Sequence, residues 1–306
     1  MKIFINRKPV DGPWGGGNLL VKALFEHAPK FGHQVTTDLS EKDIDIIFLF
    51  DPRQGNSDWR TRIILLEAKK RNIPIIHRVN ECDARKGTSD IDKMLNACSH
   101  HTTATVFVSN WMQAYHQQYW NCDKQYVVYN GVNQEHFKFR FLLRNPMETV
   151  NIVAHHWSDN YLKGFDIYDA LDEWVGANSD KFTFTYIGRH RGTFKNTKCV
   201  DPLFGKELGF ELSKHDVYVS ASRFDPGPNH ILEALSCDLP TYVHTDGGGA
   251  VEFAGNDQTY SSFTELTSIL KAGKFGHNDM SAGLHPWEDC IKQYIKIMER
   301  LHAEKN

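Results

Sequence analysis

Three segments of the sequence combine glycines with charged residues in patterns that suit a charged ligand. The first is DGPWGGGNLLVKAL (11–24), which follows an apolar run at the N-terminus. Consecutive glycines, including Gly16 and Gly17, let the backbone approach a ligand closely, and the N-terminus of the helix that they open attracts phosphate. The spacing is not GxGxxG, so a nicotinamide or flavin site is not favoured, and a plain tight turn is the alternative.

The second segment is HHWSDNYLKGFDIYDAL (155–171), which follows a predicted strand. It places Lys163 and Gly164 at the start of a helix. An ammonium group beside the backbone amides of a helix start suits a diphosphate better than a neutral ligand. A solvated lysine is the alternative.

The third segment, SASRFDPGPNHILEALSCDLPTYVHTDGGGAVEF (220–253), contains two carboxylates eight positions apart. Asp225 lies in a loop that contains Pro and Gly, and Glu233 lies in the helix that begins near Asn229. Both carboxylates can face a ligand, and the backbone amides of Asn229 and His230 form a second anion site. A capping or solvated role for Glu233 is the alternative.

Short β-branched or aromatic runs alternate with helical patterns along the chain, which indicates an α/β doubly wound architecture. The apolar runs are nearly continuous, as expected for strands that are buried on both faces of a parallel sheet. Strands are predicted at 2–6, 45–50, 73–77, 104–109 and 125–129, and then at 149–156, 182–188, 216–222 and 240–245. Helices are predicted at 17–30, 57–71, 89–99, 110–120, 163–176, 203–213, 229–237, 261–272 and 288–303.

The chain has 306 residues, about twice a typical domain, and its strand–helix rhythm restarts halfway. We predict a Rossmann-like domain at 1–140, a second Rossmann-like domain at 141–285 and a final helix within 286–306, which can pack back on the first domain. The linker is placed at 137–149, where no period is clear. Two such domains facing each other across a cleft would bind ligands at the carboxyl ends of both sheets.

The net charge of −3 is unevenly distributed. Residues 1–140 carry 19 Lys and Arg against 15 Asp and Glu, whereas the remainder carries 16 against 23. This fits a first domain with an anionic partner, and chance variation in composition is the alternative. No apolar run approaches the ~18 residues that span a bilayer, and MKIFINRK is not a signal-peptide core. Six cysteines without CxxC spacing predict buried thiols, so we expect a soluble cytoplasmic protein.

Segment 220–253 resembles the donor-site signature of retaining family 4 glycosyltransferases of the GT-B fold. Their pattern is Glu-x7-Glu, an Ala-Leu or Ala-Met helix, Cys-Gly-x-Pro and later Gly-Gly-x-x-Glu. This chain has Asp225-x7-Glu233, then Ala-Leu at 234–235, CDLP at 237–240 and GGAVE at 248–252. The resemblance spans nearly the whole chain, because further matches follow in the same order: GGG at 15–17, VSNWM at 108–112, YNGV at 129–132, KG at 163–164 and IGR at 187–189.

The resemblance implies a role for each matching residue. Glu233 is similar to the carboxylate that hydrogen-bonds the nucleotide ribose. Asp225 stands where the family's first Glu contacts the donor sugar, and it is one methylene shorter. Lys163 would neutralise the departing diphosphate, Arg189 would lie beside the nucleotide base, and the Gly-rich loop 15–17 corresponds to the family's first phosphate-side loop.

One position departs from the family pattern in a way that changes the local charge. An Arg usually lies five positions before the Lys, and Ser158 occupies that place here. The positive charge would then come from elsewhere, with Arg189 and His156 as candidates. Relatives need no bound metal, and the sequence shows no Asp-x-Asp motif. The resemblance therefore implies no metal and no cofactor, and a nucleotide-diphosphate sugar, UDP- or GDP-linked, as donor.

The acceptor side is expected in the first domain. His77 is placed at the carboxyl end of strand 73–77, where relatives often have a group that touches the donor sugar. A buried structural histidine is the alternative. A dense polar loop follows, and it either faces the acceptor or is simply solvated: Asn80, Glu81, Asp83, Arg85 and Lys86.

The resemblance implies transfer of a sugar to an acceptor hydroxyl with retention of configuration. Because no nucleophile is evident, a same-face mechanism, in which the diphosphate oxygen accepts the acceptor's proton, is favoured over a covalent intermediate. A glycan, a lipid-linked hydroxyl and a nucleic acid stay open as acceptors, as does peripheral membrane contact through 137–144. The alternatives are a sugar-nucleotide-binding protein without transferase activity and a GT-B epimerase.

Overall fold

A computed structural model describes the chain except for residues 13, 54–56, 139–148, 193, 279–282 and 306. It divides into two compact units. The first comprises Met1–Gly131 and Trp287–Asn306, and the second comprises Val132–Pro286. The predicted linker at 137–149 and the predicted membrane-contact segment 137–144 lie mostly outside the described residues.

The first unit is a parallel six-stranded sheet in the order β2-β1-β3-β4-β5-β6. Its strands are β1 Lys2–Ile5, β2 Gln34–Thr36, β3 Ile46–Leu49, β4 Ile75–Val79, β5 Ala104–Phe107 and β6 Gln125–Val127. Its helices are α1 Gly16–His27, α2 Thr61–Arg71, α3 Asp83–Lys86, α4 Ile91–Ser99, α5 Asn110–His116 and the C-terminal helix Trp287–Lys305. Most residues of β1, β3, β4 and β5 are apolar, and nearly all are buried, which is typical of a parallel sheet that helices cover on both faces.

The C-terminal helix belongs to the core of the first unit. It buries residues at helical spacing against α1 and one face of the sheet: Cys290, Ile291, Tyr294, Ile295, Met298 and Leu301. The opposite face of the sheet is covered by two smaller apolar clusters, one of which contains Ile64 and Ala68 of α2. The C-terminal helix therefore completes the first unit, although it follows the second in sequence.

The second unit is also a parallel six-stranded sheet, in the order β12-β11-β10-β7-β8-β9. Its strands are β7 Val150–His156, β8 Phe182–Gly188, β9 Lys198–Val200, β10 Val217–Ser220, β11 Thr241–His244 and β12 Thr259–Tyr260. Its helices are α6 Phe165–Gly176, α7 Gly205–Leu212, α8 Asn229–Ser236, α9 Gly249–Ala254 and α10 Phe263–Ala272. The strand order reverses between β7 and β10, which makes the carboxyl ends of these two strands a topological switch point.

The structure contains all nine predicted strands and adds three that the sequence did not indicate, β2, β9 and β12. These have two or three residues each and lack a continuous apolar run. The short helices α3 and α9 were also missed. All six cysteines are free thiols, but the prediction that all are buried is wrong for Cys199, which is exposed beside the short edge strand β9.

Candidate functional site

The predicted donor-side residues of the second unit meet at the carboxyl ends of β7 and β10. Strand β7 ends in His155 and His156, and the loop after β10 leads through Asp225 into α8. Open α/β sheets bind ligands at such a switch point, because the loops of neighbouring strands diverge there and leave a crevice. This edge of the second sheet is therefore the candidate site.

A buried ion pair joins Lys163 and Asp225 at this edge. The Lys163 Nζ lies 2.6 Å from Asp225 Oδ2, and the two residues are 9% and 3% exposed. The Ser222 hydroxyl donates to the same carboxylate oxygen at 3.4 Å. The sequence segments that were assigned to diphosphate and sugar are thus in direct contact.

Glycines determine how closely the two loops of this pair approach each other. Gly164 has φ +94°, and a Cβ there would lie 2.3 Å from both the Cβ and the carbonyl oxygen of Ala221. The Arg223 backbone N–H donates to the Leu162 carbonyl at 2.9 Å, which joins the same two loops. A larger residue at 164 would therefore push the Lys163 loop away from the Asp225 loop.

The glycine loop 247–249 holds Asp225 from the other side. The Asp225 N–H donates to the Gly247 carbonyl at 3.2 Å, and the Gly249 N–H donates to the Asp225 carbonyl at 2.8 Å. Gly248 adopts φ +67° between these two contacts. The Asp225 backbone is thus fixed on both sides, so its carboxylate has a defined direction.

Glu233 makes a contact that the sequence did not indicate. Its Oε2 lies 2.8 Å from Nε2 of His155, whose ring also packs edge-to-face on Tyr218 at 5.4 Å. Glu233 lies one turn into α8, and its side chain is 14% exposed. His155 is therefore in position to orient the Glu233 carboxylate. The available signal was the pair of histidines at the end of β7.

His156 is not a source of positive charge here. Its Nε2 lies 2.7 Å from the Tyr168 hydroxyl, and its side chain is buried. Burial is the main cause that holds the pKa of His156 well below its usual range. The nearby charges of His230, Lys163 and His155 lower this pKa further. The ring is neutral near pH 7, so His156 does not supply the positive charge for which the sequence made it a candidate.

The start of α8 lies at the same edge and places Asn229 and His230 in its first turn. The His230 side chain turns inward, with Nε2 3.0 Å from the Ser220 hydroxyl and its ring 4.6 Å from that of His156. The imidazole of His230 therefore fixes the helix start to the end of β10. Its backbone amide lies in the first turn of α8.

Two arginines follow strands of the second sheet at its carboxyl edge. Arg189 follows Gly188 at the end of β8, and its exposed guanidinium carbon lies 4.1 Å from the ring centroid of Trp157. Arg223, which the sequence reasoning did not select, donates to both oxygens of Asp166 at 2.8 and 2.7 Å. Hydrogen bonding to Arg223 holds the pKa of Asp166 below its usual range. The position of Arg223 two residues before Asp225 was the available signal.

The predicted glycine loop of the first unit opens α1 at the carboxyl end of β1. Gly16 begins the helix, and a Cβ on Gly17 would lie 3.1 Å from the Phe50 ring. The Asn18 side chain fixes the loop, accepting from the Val10 N–H at 2.9 Å and donating to its carbonyl at 2.8 Å. The first-turn amides of α1 thus lie at the carboxyl edge of the first sheet.

The prediction that His77 lies at the end of its strand is wrong. His77 is the third of the five residues of β4, all of which are buried, because the strand continues through Arg78 and Val79. Its ring is 0% exposed and stacks on Trp120 at 5.9 Å. Neither ring nitrogen has a hydrogen-bond partner among the described residues. Burial lowers the pKa of His77 to about 3.

The polar loop after β4 is partly structural. Glu81 is 3% exposed and lies within 3.4 Å of Arg53, 3.4 Å of Arg85 and 2.9 Å of Lys86. The Asp83 carboxylate accepts from the backbone N–H groups of residues 91 and 92, at 3.0 and 3.1 Å, and so fixes the start of α4. The simple picture of a solvated run therefore does not describe Glu81 or Asp83.

The variant His77→Phe is expected to make the protein less sensitive to acid. Unfolded histidine binds a proton below about pH 6.5, whereas folded His77 does so only near pH 3. As the pH falls between these values, this residue lowers the free energy of unfolding by about 1.4 kcal/mol per pH unit. The phenylalanine variant, which keeps the stacking on Trp120, should lack that slope. Urea unfolding of both proteins from about pH 4 to pH 7 measures it, and equal slopes would contradict the buried, neutral ring.

Several known proteins are similar to this chain in sequence or in structure. No protein-family model matches the chain. A probable sucrose-phosphate synthase of Thermosipho melanesiensis is 24% identical over 211 residues, which are 58% of this chain and 48% of that protein, so the match spans about half of the curated relative. The solved sucrose-phosphate synthase of Thermosynechococcus elongatus has a TM-score of 0.69 at 14% identity and covers 99% of this chain and 98% of its own. The pneumococcal O-GlcNAc transferase GtfA, solved with UDP and GlcNAc, has a TM-score of 0.63 at 11% identity, covering 83% of this chain and 56% of its own.

These similarities and the two parallel six-stranded sheets give the chain the fold of GT-B glycosyltransferases, which confirms the predicted fold class. Among the described residues, no helix is both long and apolar enough to cross a membrane. Within the same part of the chain, no group of three or more His, Cys, Asp or Glu side chains is arranged to hold a metal ion.

Proposed function

We propose that this protein is a glycosyltransferase that moves a sugar from a nucleotide-diphosphate sugar to an acceptor hydroxyl. The observation that carries the proposal is the convergence of Lys163, Asp225 and Glu233 at the switch point of the second sheet. In this arrangement, the cation suits a diphosphate and the carboxylate beside it suits a sugar hydroxyl. The second carboxylate, on the adjoining helix, suits a ribose. The similarity to sucrose-phosphate synthases supports the same reading.

Each residue has a distinct part in the proposed reaction. Lys163, with the amides of Asn229 and His230, stabilises the negative charge that grows on the leaving diphosphate. Asp225 binds a donor-sugar hydroxyl, and Glu233, oriented by His155, accepts hydrogen bonds from the ribose. In this structure Lys163 is held by Asp225, so the incoming diphosphate exchanges one anionic partner of the ammonium for another.

The remaining predicted residues lie around this centre. The Arg189–Trp157 stack offers a flat, cationic surface for the nucleotide base. In the first unit, the amides of Gly16 and Gly17 provide a further phosphate-binding helix start. His77, buried within β4, is assigned no contact with substrate, so His77→Phe should retain turnover.

We further propose that transfer retains configuration and needs no metal. The support is the motif resemblance together with the Lys163 cation beside the proposed diphosphate position. A UDP- or GDP-sugar is the proposed donor, and the UDP bound to the pneumococcal relative favours the former. A glycan, a lipid-linked hydroxyl or another hydroxyl compound is the proposed acceptor. The two predicted domains facing across a cleft, and a cytoplasmic location, remain part of this proposal.

One alternative is a protein that binds sugar nucleotides without transferring the sugar. The shortened carboxylate at 225 and the serine at 158 favour it, because both remove contacts that the family signature contains. Binding without release of nucleoside diphosphate would distinguish this alternative from the transferase.

A donor screen with the whole protein tests the proposal. The melting temperature of the protein is measured with UDP-, GDP-, ADP- and CMP-sugars. We expect the sugars of one nucleotide to raise it, because a ligand that binds only the folded state stabilises that state. Release of nucleoside diphosphate from that donor, faster with wild type than with Lys163→Met, should follow. Stabilisation without release supports the binding protein, and no stabilisation by any donor contradicts both functions.

A further inference from the structure

Two arginines and a phenylalanine form a positively charged cluster at the carboxyl end of the first sheet. Arg7 follows β1, Phe50 follows β3, and Arg78 is the fourth residue of β4. Because β3 pairs with both β1 and β4, the two arginines flank the phenylalanine. Their guanidinium carbons lie 5.8 and 4.9 Å from the centre of the Phe50 ring. No step of the proposed reaction uses this group, called here the Arg7–Phe50–Arg78 cluster.

Arg78 is a buried cation without a counter-charge. It is 1% exposed, and it forms no ion pair with a described residue. Its Nη2 donates to Asn130 Oδ1 at 3.0 Å, while Nε and Nη1 have no hydrogen-bond partner in the same part of the chain. Burying a charge without a partner costs free energy, and such departures from good packing concentrate at functional sites. Arg78 is therefore a candidate for a role in binding.

The groups around Arg78 do not supply the missing negative charge. Arg78 acts electrostatically on the Cys290 thiol and the Tyr294 phenol of the C-terminal helix. Burial raises the pKa of both groups, so they are neutral near pH 7. Asp51 lies 3.4 Å from the other arginine of the cluster, but Nη2 of Arg53 holds it more closely, at 2.7 Å. The cluster thus carries excess positive charge.

The start of α1 packs against the same phenylalanine. A Cβ on Gly17 would lie 3.1 Å from the Phe50 ring, so the first turn of α1 lies one aromatic ring away from the guanidinium groups. No side chain of the described residues caps this helix, and its first turn contains no acidic residue. The positive end of the helix dipole and the cluster therefore act on the same region, which favours an anion there.

We propose that Arg78 is a positioning residue whose buried charge, together with Arg7, holds a phosphate group at the start of α1. The first-turn amides and Arg7, whose side chain is 17% exposed, would contact the phosphate oxygens. Arg78 lies too deep for contact, but its charge acts through surroundings of low dielectric. The phosphate belongs either to the donor or to a phosphorylated acceptor, and only that assignment rests on the proposed function.

Thermal unfolding with inorganic phosphate tests the role of Arg78. Phosphate near pH 7, compared with chloride at equal ionic strength, should raise the melting temperature of wild type, because it binds the folded state. Arg78→Met should bind phosphate about tenfold more weakly, the order expected for one buried charge. Arg78→Lys, which keeps the charge, should retain most of the binding. In chloride, Arg78→Met should melt no earlier than wild type, because it removes a buried charge without a partner. A merely structural arginine predicts earlier melting and unchanged phosphate binding.

Two further variants complete the design. Arg7→Gln, at a partly exposed side chain, should also weaken phosphate binding, and it keeps the test decisive if Arg78→Met fails to fold. Arg71 is the matched control, because its guanidinium donates to backbone carbonyl groups of the same unit, at 3.1, 2.7 and 2.9 Å. Arg71→Met should melt earlier than wild type and bind phosphate like it.

The variant Lys163→Met identifies the source of the phosphate. Stabilisation of Lys163→Met by phosphate would mean that the first unit binds a phosphate of its own, as a phosphorylated acceptor requires. Loss of the effect in both Lys163→Met and Arg78→Met would assign the phosphate to the donor. No stabilisation of wild type, equal stabilisation of Arg78→Met, or an equal loss in Arg71→Met would overturn the proposal. The donor screen tests the transferase function separately.

Discussion

Replacing Lys163 with methionine is expected to lower the free energy of unfolding by about 3–5 kcal/mol, because the change leaves the Asp225 carboxylate buried without its cation. The same variant should lose sugar transfer, since the proposed counter-charge of the diphosphate is gone. Urea unfolding measures the first effect, and release of nucleoside diphosphate measures the second. Lys181→Met, at an exposed lysine of the same unit, should leave both unchanged.

A second variant separates the stability effect of Lys163 from its chemical effect. In Lys163→Met, Asp225→Asn no unpaired charge remains buried, so most of the lost stability should return while transfer stays absent. A loss below about 1 kcal/mol in Lys163→Met alone would mean that the pair behaves as an exposed one. That result would contradict the buried geometry of the site.

Gly164→Ala should destabilise the second unit by about 2–6 kcal/mol. About 1–3 kcal/mol comes from forcing a side chain into the left-handed backbone region at φ +94°, and a similar amount comes from overpacking against Ala221. Because Lys163 precedes this glycine, donor binding should weaken as the loop moves. Thermal and urea unfolding, with and without the stabilising nucleotide, measure both effects.

Gly273→Ala is the matched control for Gly164→Ala. Gly273 has φ +62°, but a Cβ there meets no described atom within 4 Å, so only the backbone strain of about 1 kcal/mol is expected. Equal losses at 164 and 273 would show that the approach of the two loops contributes nothing. A larger loss of unfolding free energy at 164 than at 273 would show that the contact with Ala221 causes the difference.

Sequence reasoning predicts those parts of this fold that depend on continuous apolar runs. Strands buried on both faces, such as β7 and β8, have a signal of their own, whereas β12, with two residues at the sheet edge, has none. A parallel sheet brings the carboxyl ends of its strands to one edge, so Lys163 and Asp225, 62 positions apart, could be expected near each other. Their roles stay predictions.

The features that sequence reasoning missed depend on tertiary packing, which a sequence pattern does not specify. The predicted strand 73–77 ends at His77, yet β4 continues past this residue and buries its ring against Trp120. The His155–Glu233 pair joins residues 78 positions apart through the direction of two side chains, which neither local motif specifies. Arg223 lies in the loop after β10, and no local motif indicates its partner Asp166, which lies in α6.

The most direct test of the proposed donor site is a calorimetric measurement of how Glu233 contributes to nucleotide binding. The nucleoside diphosphate selected by the donor screen is titrated into wild type, Glu233→Gln and the exposed control Glu207→Gln, in its ribose form and its 2′,3′-dideoxy form. Hydrogen bonds to a carboxylate contribute about 1.5–3 kcal/mol, so wild type and the control should prefer the ribose form by at least about tenfold. Glu233→Gln should lose most of that preference. An unchanged preference in Glu233→Gln, or no nucleotide binding by wild type, would contradict a donor site at the carboxyl edge of the second sheet.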